Sequence, residues 1–228
     1  MLWQTIKIDE RATAALAKKV GFSRILSRML LRRQMADPEV IQAFLNPSLR
    51  DLPNPGLLPD MNQAADHILK AIDQNQTITV FGDYDADGLT ATSLLAEFLT
   101  TLGGRVTTYI PHRLEEGYGL NPPAVERLAA AGTKLIITVD CGSSDLSAVN
   151  RARELGVEVI ITDHHKVPAH LPTALAVVNP QRSGSKFPQS ELAGVGVAFF
   201  LAYEKKEWIK PAHCRNWLPF SAWWPSAP

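Results

Sequence analysis

Short, almost purely apolar runs alternate with amphipathic stretches through most of the chain after Pro59. The clearest runs are Leu135–Val139 (LIITV) and Val157–Ile161 (VEVII). A strand that is apolar on both faces needs cover on both faces, as in a parallel sheet flanked by helices. Alternation of strands with helices also implies right-handed crossovers between parallel strands. The pattern therefore predicts an α/β fold, with a mainly parallel sheet and helices on both faces.

The first 58 residues follow a different pattern, which predicts a small helical N-terminal extension. Apolar residues recur at helical spacing between residues 14 and 26, and Asp37 followed by Pro38 is a typical helix start. Residues 46–59 then hold four prolines and one glycine, which favours a linker. We therefore divide the chain into an extension with its linker (1–58), an α/β domain (59–201) and a tail (202–228).

The composition excludes several classes of protein. No run approaches 18 apolar residues, so no membrane-spanning helix is expected, and early charges exclude a signal peptide. The cysteines, Cys141 and Cys214, form neither a disulfide framework nor a zinc pattern, so a cytoplasmic location is expected. Residues 1–58 carry nine basic and five acidic residues, against 14 and 18 in the remainder. This balance suits contact with a polyanion, although an ordinary solvated surface explains it equally.

Polar residues concentrate directly after the predicted strands, in four segments. These segments are Gly82–Gly88 (GDYDADG), Pro111–Arg113 (PHR), Asp140–Ser144 (DCGSS) and Thr162–His165 (TDHH). The carboxyl ends of parallel strands meet at one edge of a sheet, where ligands bind. A single aspartate there is most often a helix N-cap. Three alternating aspartates repel one another, and they persist as anions only when a cation neutralises them.

Carboxylates mixed with imidazoles suit Mn²⁺ or Mg²⁺, and the number of candidate ligands allows two ions that share an aspartate. Two such ions favour phosphoryl chemistry because they polarise a phosphate oxygen and acidify the attacking water. His112 and Arg113 follow the neighbouring strand and could hold the phosphate. An ion pair of Arg113 with Glu115 or Glu116 explains that residue equally well. Cys141 has no visible catalytic partner and is interpreted as a bystander.

These segments resemble the motifs of the DHH phosphoesterase family. Asp83–Thr92 is similar to the first motif, Val139–Ser144 to the second, and Thr162–His165 to the signature after which the family is named. Further segments resemble the RecJ-type single-strand-specific DNA exonucleases within that family, and these are Arg113–Pro122, Val177–Pro180 and Leu192–Phe199. Together the resemblance covers about residues 45–201.

The resemblance implies a 5′→3′ exonuclease that releases mononucleotides from single-stranded DNA in repair and recombination. Single-strand-binding protein and helicase are the partners it implies. The implied metal ligands are Asp85, Asp87, Asp140 and His164. Catalytic roles are implied for Asp83, Asp163 and His165. The residues expected near the nucleotide are His112, Arg113, Tyr118, Gly194 and Gly196, although a tight helix entry also explains the two glycines.

Two other interpretations stay open. The first is a DHH-family phosphodiesterase acting on oligonucleotides, cyclic dinucleotides or pyrophosphate. The second is a non-catalytic binding or scaffold fragment, because RecJ-type proteins continue with a fourth motif that carries another metal-binding aspartate and with further domains. The resemblance stops near Leu201, and residues 202–228 hold four of the five tryptophans and no aspartate. We therefore expect a truncated chain with an out-of-frame tail.

Overall fold

The structure is a computed structural model that describes residues 7–204. Almost all of the predicted tail, residues 205–228, lies outside the described residues. The chain forms two compact units, Met1–Leu52 and Pro53–Pro228. The units therefore divide six residues before the end of the predicted extension at residue 58.

The first unit is helical. Its helices are α1 (Glu10–Val20), α2 (Arg24–Arg32) and α3 (Pro38–Leu45), followed by a 3-10 helix (Leu49–Asp51). Asp37 caps α3, and Pro38 is its first residue, as the sequence predicts. Leu16, Leu30 and Ile41, one from each helix, form the buried core. In α3 only Ile41 is buried, whereas Val40, Phe44 and Leu45 are exposed.

The second unit begins with a 3-10 helix (Pro55–Leu57) and then alternates helices with strands. The helices are α4 (Met61–Asp73), α5 (Ala86–Thr101), α6 (Pro122–Ala130), α7 (Leu146–Glu154) and α8 (Gly194–Glu204). The strands are β1 (Thr77–Gly82), β2 (Arg105–Tyr109), β3 (Leu135–Val139), β4 (Glu158–Thr162) and β5 (Ala176–Val178). The two clearest apolar runs of the sequence, residues 135–139 and 157–161, become β3 and β4, and the ends of β4 lie one residue further along the chain.

The five strands form one parallel sheet in the order β2-β1-β3-β4-β5. Helices α4, α5 and α8 pack together on one face, and α6 and α7 pack on the other. The predicted α/β fold with helices on both faces is therefore confirmed. From β1 the chain first adds β2 on one side and then crosses over to add β3, β4 and β5 on the other side. The strand order therefore reverses between β1 and β3, and a crevice opens between the carboxyl ends of these two strands.

Strands β1, β3 and β4 are almost fully buried, because side chains pack on both of their faces. Phe81, Ile136 and Ile161 point towards α6 and α7, where they pack in one apolar cluster. Burying a side chain of this size contributes about 1.5–3 kcal/mol. In the part of the chain that the structure describes, no helix combines the length and apolar character needed to cross a lipid bilayer.

Candidate metal centre

The predicted polar segments meet at the carboxyl ends of β1, β3 and β4. Asp140 directly follows β3 with a φ of 62°, in the left-handed region that favours glycine. Its side chain lies against the first residue of α8, Gly194. A Cβ atom on Gly194 would lie 2.5 Å from Asp140 Oδ1, so only glycine fits there without a shift. The start of α8 therefore closes one side of the crevice.

Two groups of potential metal ligands share Asp140. One group is Asp83, Asp85 and Asp140, and the other is Asp140, His164 and His165. In each group the ligand atoms lie within 4.8 Å of one another. We call these groups the aspartate triad and the histidine triad. A carboxylate common to both triads is what two bridged divalent ions need.

Buried carboxylate oxygens of the aspartate triad lack partners. Within the described residues, Asp83 Oδ1 and Asp140 Oδ1 are buried and accept no hydrogen bond. His164 Nε2 lies 3.0 Å from Asp140 Oδ1, but without hydrogen-bond geometry. Burial and the neighbouring Asp87 and Asp85 raise the pKa of Asp140 to about 7, and burial also raises the pKa of Asp83. Since buried unpaired oxygens are destabilising, the residues fit a divalent cation that would bind them.

Asp163 contacts both histidines of the histidine triad, through the backbone of His164 and through the backbone and ring of His165. Its carboxylate accepts hydrogen bonds from the backbone N–H groups of Ser143, His164 and His165, at 2.7–3.1 Å. Its Oδ1 also lies 2.8 Å from His165 Nδ1. Burial would raise the pKa of Asp163, but the hydrogen bonds from Ser143 and His165 lower it. The ionised carboxylate favours a proton on His165 Nδ1, so the lone pair of Nε2 is left for a ligand.

Asp87 lies outside both triads. Its two oxygens accept hydrogen bonds from the backbone N–H groups of Gly194 and Val195, each at 2.7 Å. Its Oδ2 is 3.8 Å from His164 Nε2. In this structure Asp87 therefore caps α8, and its role as a metal ligand stays a prediction.

Tyr118, one of the predicted substrate-binding residues, also reaches the centre. Its hydroxyl donates a hydrogen bond to the carbonyl oxygen of Asp140, at 3.0 Å, and lies 3.1 Å from His165 Nδ1. The rings of Tyr118 and His165 also meet edge to face, with centroids 5.8 Å apart. About half of the Tyr118 residue surface is exposed. Tyr118 thus joins the segment after β2 to the histidine triad.

His112 and Arg113 lie further out on the same segment, and both are exposed. The Arg113 guanidinium carbon lies 5.3 Å from the centre of the Tyr84 ring, in the loop after β1. The alternative ion pair of Arg113 is not observed within residues 7–204, where Glu116 instead pairs with Arg127. His112 Nδ1 lies 3.9 Å from Glu115 Oε2.

The two predicted glycines differ in their surroundings. Gly194 touches Asp140 and donates its N–H to Asp87, so a tight helix entry explains it. A Cβ atom on Gly196 would lie 3.5 Å from Leu192, which is ordinary contact. The structure therefore brings only Gly194 to the triads.

Sequence reasoning missed two amides that hold the histidine loop. The buried Asn179 donates from Nδ2 to Ser143 Oγ at 3.0 Å and to the carbonyl of His165 at 2.9 Å. Gln181 donates from Nε2 to the carbonyl of His164, at 2.6 Å. In the sequence, Asn179 directly follows the short apolar run of β5, which marks it as a polar residue at a strand end. Its segment, Val177–Pro180, was noted only for its resemblance to RecJ-type exonucleases.

Cys141 lies in the apolar core beside α6 and α7. Burial raises the pKa of its thiol well above the usual value. A reactive cysteine has a lowered pKa and an accessible sulfur atom. The environment is therefore the opposite of what a nucleophile needs.

Two cavities among the described residues lie away from the triads. A cavity of about 470 Å³ lies at the opposite edge of the sheet, beside the amino end of β4. It is lined mainly by residues 156–159 and 173–175. The candidate centre is therefore recognised by the chemistry of its residues and not by either of these cavities.

The centre and its frame match known proteins. The profile of the DHH family, N-terminal domain, matches residues 77–217. The single-stranded-DNA-specific exonuclease RecJ of Bacillus subtilis (strain 168) is 39% identical over 203 residues, which cover 89% of this chain and 26% of that protein. The chain thus spans about a quarter of that relative.

Two crystal structures of RecJ from Thermus thermophilus are similar in fold. The complex with Mn²⁺ has a TM-score of 0.68 at 30% identity, covering 86% of this chain and 27% of that one. The complex with Mg²⁺ has a TM-score of 0.54 at 28% identity, covering 86% and 23%. The family match over residues 77–217 includes both triads, and this chain therefore belongs to the DHH family.

Proposed function

We propose that this chain carries the phosphodiester-hydrolysing centre of a RecJ-type exonuclease that degrades single-stranded DNA from its 5′ end. The observation that carries the proposal is the pair of triads that share Asp140. The likeness to proteins named as single-stranded-DNA-specific exonucleases supports the substrate. The structures of relatives with Mn²⁺ and with Mg²⁺ support these two ions.

Hard carboxylate oxygens and imidazole nitrogens would hold the ions. The residues that would supply them are Asp83, Asp85, Asp140, His164 and His165, of which Asp140 belongs to both triads. When bound, such ions polarise a phosphate oxygen and lower the pKa of the attacking water. Asp163 favours the tautomer of His165 with its proton on Nδ1, which leaves the lone pair of Nε2 for a metal ion.

The exposed groups around the triads suit a single strand. Tyr118 and Tyr84 present aromatic rings, on which unpaired bases stack regardless of sequence. Arg113 supplies a cation next to Tyr84 for a phosphate group. Substrate contacts at His112, Arg113, Tyr118 and Gly196 are part of this proposal. Action in repair and recombination, with single-strand-binding protein and helicase as partners, follows from the family resemblance. The cytoplasmic location is proposed from the cysteine content.

The test is release of nucleotides from a 5′-phosphorylated single strand in the presence of Mn²⁺. We expect release that stops on chelation and that falls more than about a hundredfold in Asp140→Ala, since a bridging ligand matters more than an outer-shell partner. Absence of release, with Mn²⁺ still bound in calorimetry, would contradict the proposal for this chain. Faster cleavage of dinucleotides or cyclic dinucleotides than of long strands would favour the oligonucleotide phosphodiesterase instead.

A further inference from the structure

Asp145 is the residue directly before α7, where an aspartate normally caps its own helix. Its side chain makes no capping hydrogen bond to α7. The carboxylate instead accepts a hydrogen bond from the backbone N–H of Leu120, at 2.6 Å. A Cβ atom on Gly119 would lie 2.7 Å from Asp145 Oδ2, so the carboxylate rests on the glycine backbone. Asp145 is therefore directed at the segment after β2.

The segment that Asp145 contacts carries Tyr118. Gly117 and Gly119, on either side of Tyr118, have φ values of 77° and 81°. These φ values lie in the left-handed region, which is accessible mainly to glycine. Two glycines also allow the segment many other backbone conformations when it is not held in place. The contact of Asp145 with residues 119 and 120 favours one of these conformations.

The Tyr118 hydroxyl links this segment to the histidine triad. It donates to the carbonyl of Asp140 and lies 3.1 Å from His165 Nδ1. His165 Nδ1 is also held by Asp163, at 2.8 Å. A contact chain therefore runs from Asp145 through the 119–120 backbone to Tyr118, and from there to a candidate metal ligand.

We propose that Asp145 is a positioning residue of the metal centre, and that its carboxylate holds the 117–120 backbone so that Tyr118 orients His165 and the backbone of Asp140. The inference deepens the proposed function, on which its relevance to phosphodiester hydrolysis rests. The contacts of Asp145 concern ion binding, so the inference can be tested without measuring nuclease activity. Asp145 acts through Tyr118 and touches neither triad.

The test compares Asp145→Ala with Asp145→Asn in the whole chain. Asparagine keeps an oxygen that accepts the Leu120 N–H, whereas alanine removes it. We expect Asp145→Ala to raise amide hydrogen exchange in residues 117–120 more than tenfold and to weaken Mn²⁺ binding in calorimetry about tenfold, near the lower limit for outer-shell partners. Asp145→Asn should stay within about threefold of the parent in both measurements.

A double-mutant cycle with Tyr118→Phe identifies the route of the effect. If Asp145 acts through Tyr118, the double variant binds Mn²⁺ no more weakly than Tyr118→Phe alone, because the phenylalanine variant already lacks the hydroxyl that Asp145 positions. Fully additive losses, or unchanged Mn²⁺ affinity in Asp145→Ala, would overturn the inference. Asp37→Ala, which removes a comparable backbone contact in the first unit, controls for general loss of stability. None of these readouts requires nuclease activity, so failure of the proposed function is seen separately.

Discussion

Aspartates play opposite energetic parts in the two compact units. In the first unit, Asp9 and Asp37 are exposed, and each caps a helix by accepting a backbone N–H at 2.8 Å. In the second unit, Asp83 and Asp140 are buried, and each keeps an oxygen that accepts no hydrogen bond. An exposed cap stabilises a fold, whereas a buried unpaired carboxylate destabilises it until a cation binds. Asp85 combines the two parts, since it caps α5 and also belongs to the aspartate triad.

The largest expected effect follows from the contact between Gly194 and Asp140. Gly194→Ala places a Cβ atom 2.5 Å from Asp140 Oδ1 and should lower the free energy of unfolding by about 3 kcal/mol, in the range of overpacked cores. Gly196→Ala is the matched control, because its nearest contact is 3.5 Å and a helix interior tolerates alanine. Urea unfolding measures both variants. Equal effects would show that the crevice is not closed by Gly194.

Binding of Mn²⁺ should stabilise the second unit and leave the first unit unchanged. At an ion concentration a hundred times the Kd, we expect about 2.7 kcal/mol of added stability, because the ion binds only the folded state. Hydrogen exchange of β1 and β3, compared with that of α1–α3, reports the two units separately. Equal slowing in both units would contradict the assignment of the triads.

Acidification should stabilise the metal-free second unit. The pKa of Asp140 is raised to about 7 from the usual 3.8, so the folded state holds this proton more tightly than the unfolded state. The contribution is present below pH 4 and is lost as the pH rises from about 4 to 7. Asp145, whose pKa burial raises to about 6, acts in the same direction. In full, the two shifts would give about 4 kcal/mol between pH 7.5 and pH 5, and we expect about half of this gain because solvent screens part of each shift.

Melting temperatures over this pH range, with and without Asp140→Asn, are the measurement. The asparagine variant should flatten most of the slope, because it cannot ionise. Saturating Mn²⁺ should remove the part of the gain that comes from Asp140, since the bound ion keeps this residue ionised. A parent protein that loses stability between pH 7.5 and pH 5 without metal would refute this account.

The smallest expected effect belongs to the first unit. Asp37→Ala removes the cap of α3 and should cost about 1 kcal/mol. Far-ultraviolet circular dichroism during thermal unfolding would detect the loss. Affinity for Mn²⁺ should not change, and a change larger than twofold would show that this aspartate also serves the site.

Much of the site was predictable because strand ends are predictable. The runs LIITV and VEVII mark where β3 and β4 stop, so Asp140 and the two histidines were expected at one edge of a sheet. The direction in which each side chain turns was not predictable. Asp87 and Asp85 are two residues apart, yet Asp85 joins a triad while Asp87 caps α8. The difference depends on α8, which begins 107 residues after Asp87.

By itself, the sequence determined which segments become strands and helices, where they end and which chemistry follows each strand. These properties depend on the spacing of apolar residues and on local capping, which neighbouring residues decide. Only the tertiary structure decided that Asp140 belongs to both triads, that Asp145 turns away from its own helix, and that Asn179 holds the histidine loop. Those contacts join residues far apart in the chain, so the strand order and the packing of α8 set them.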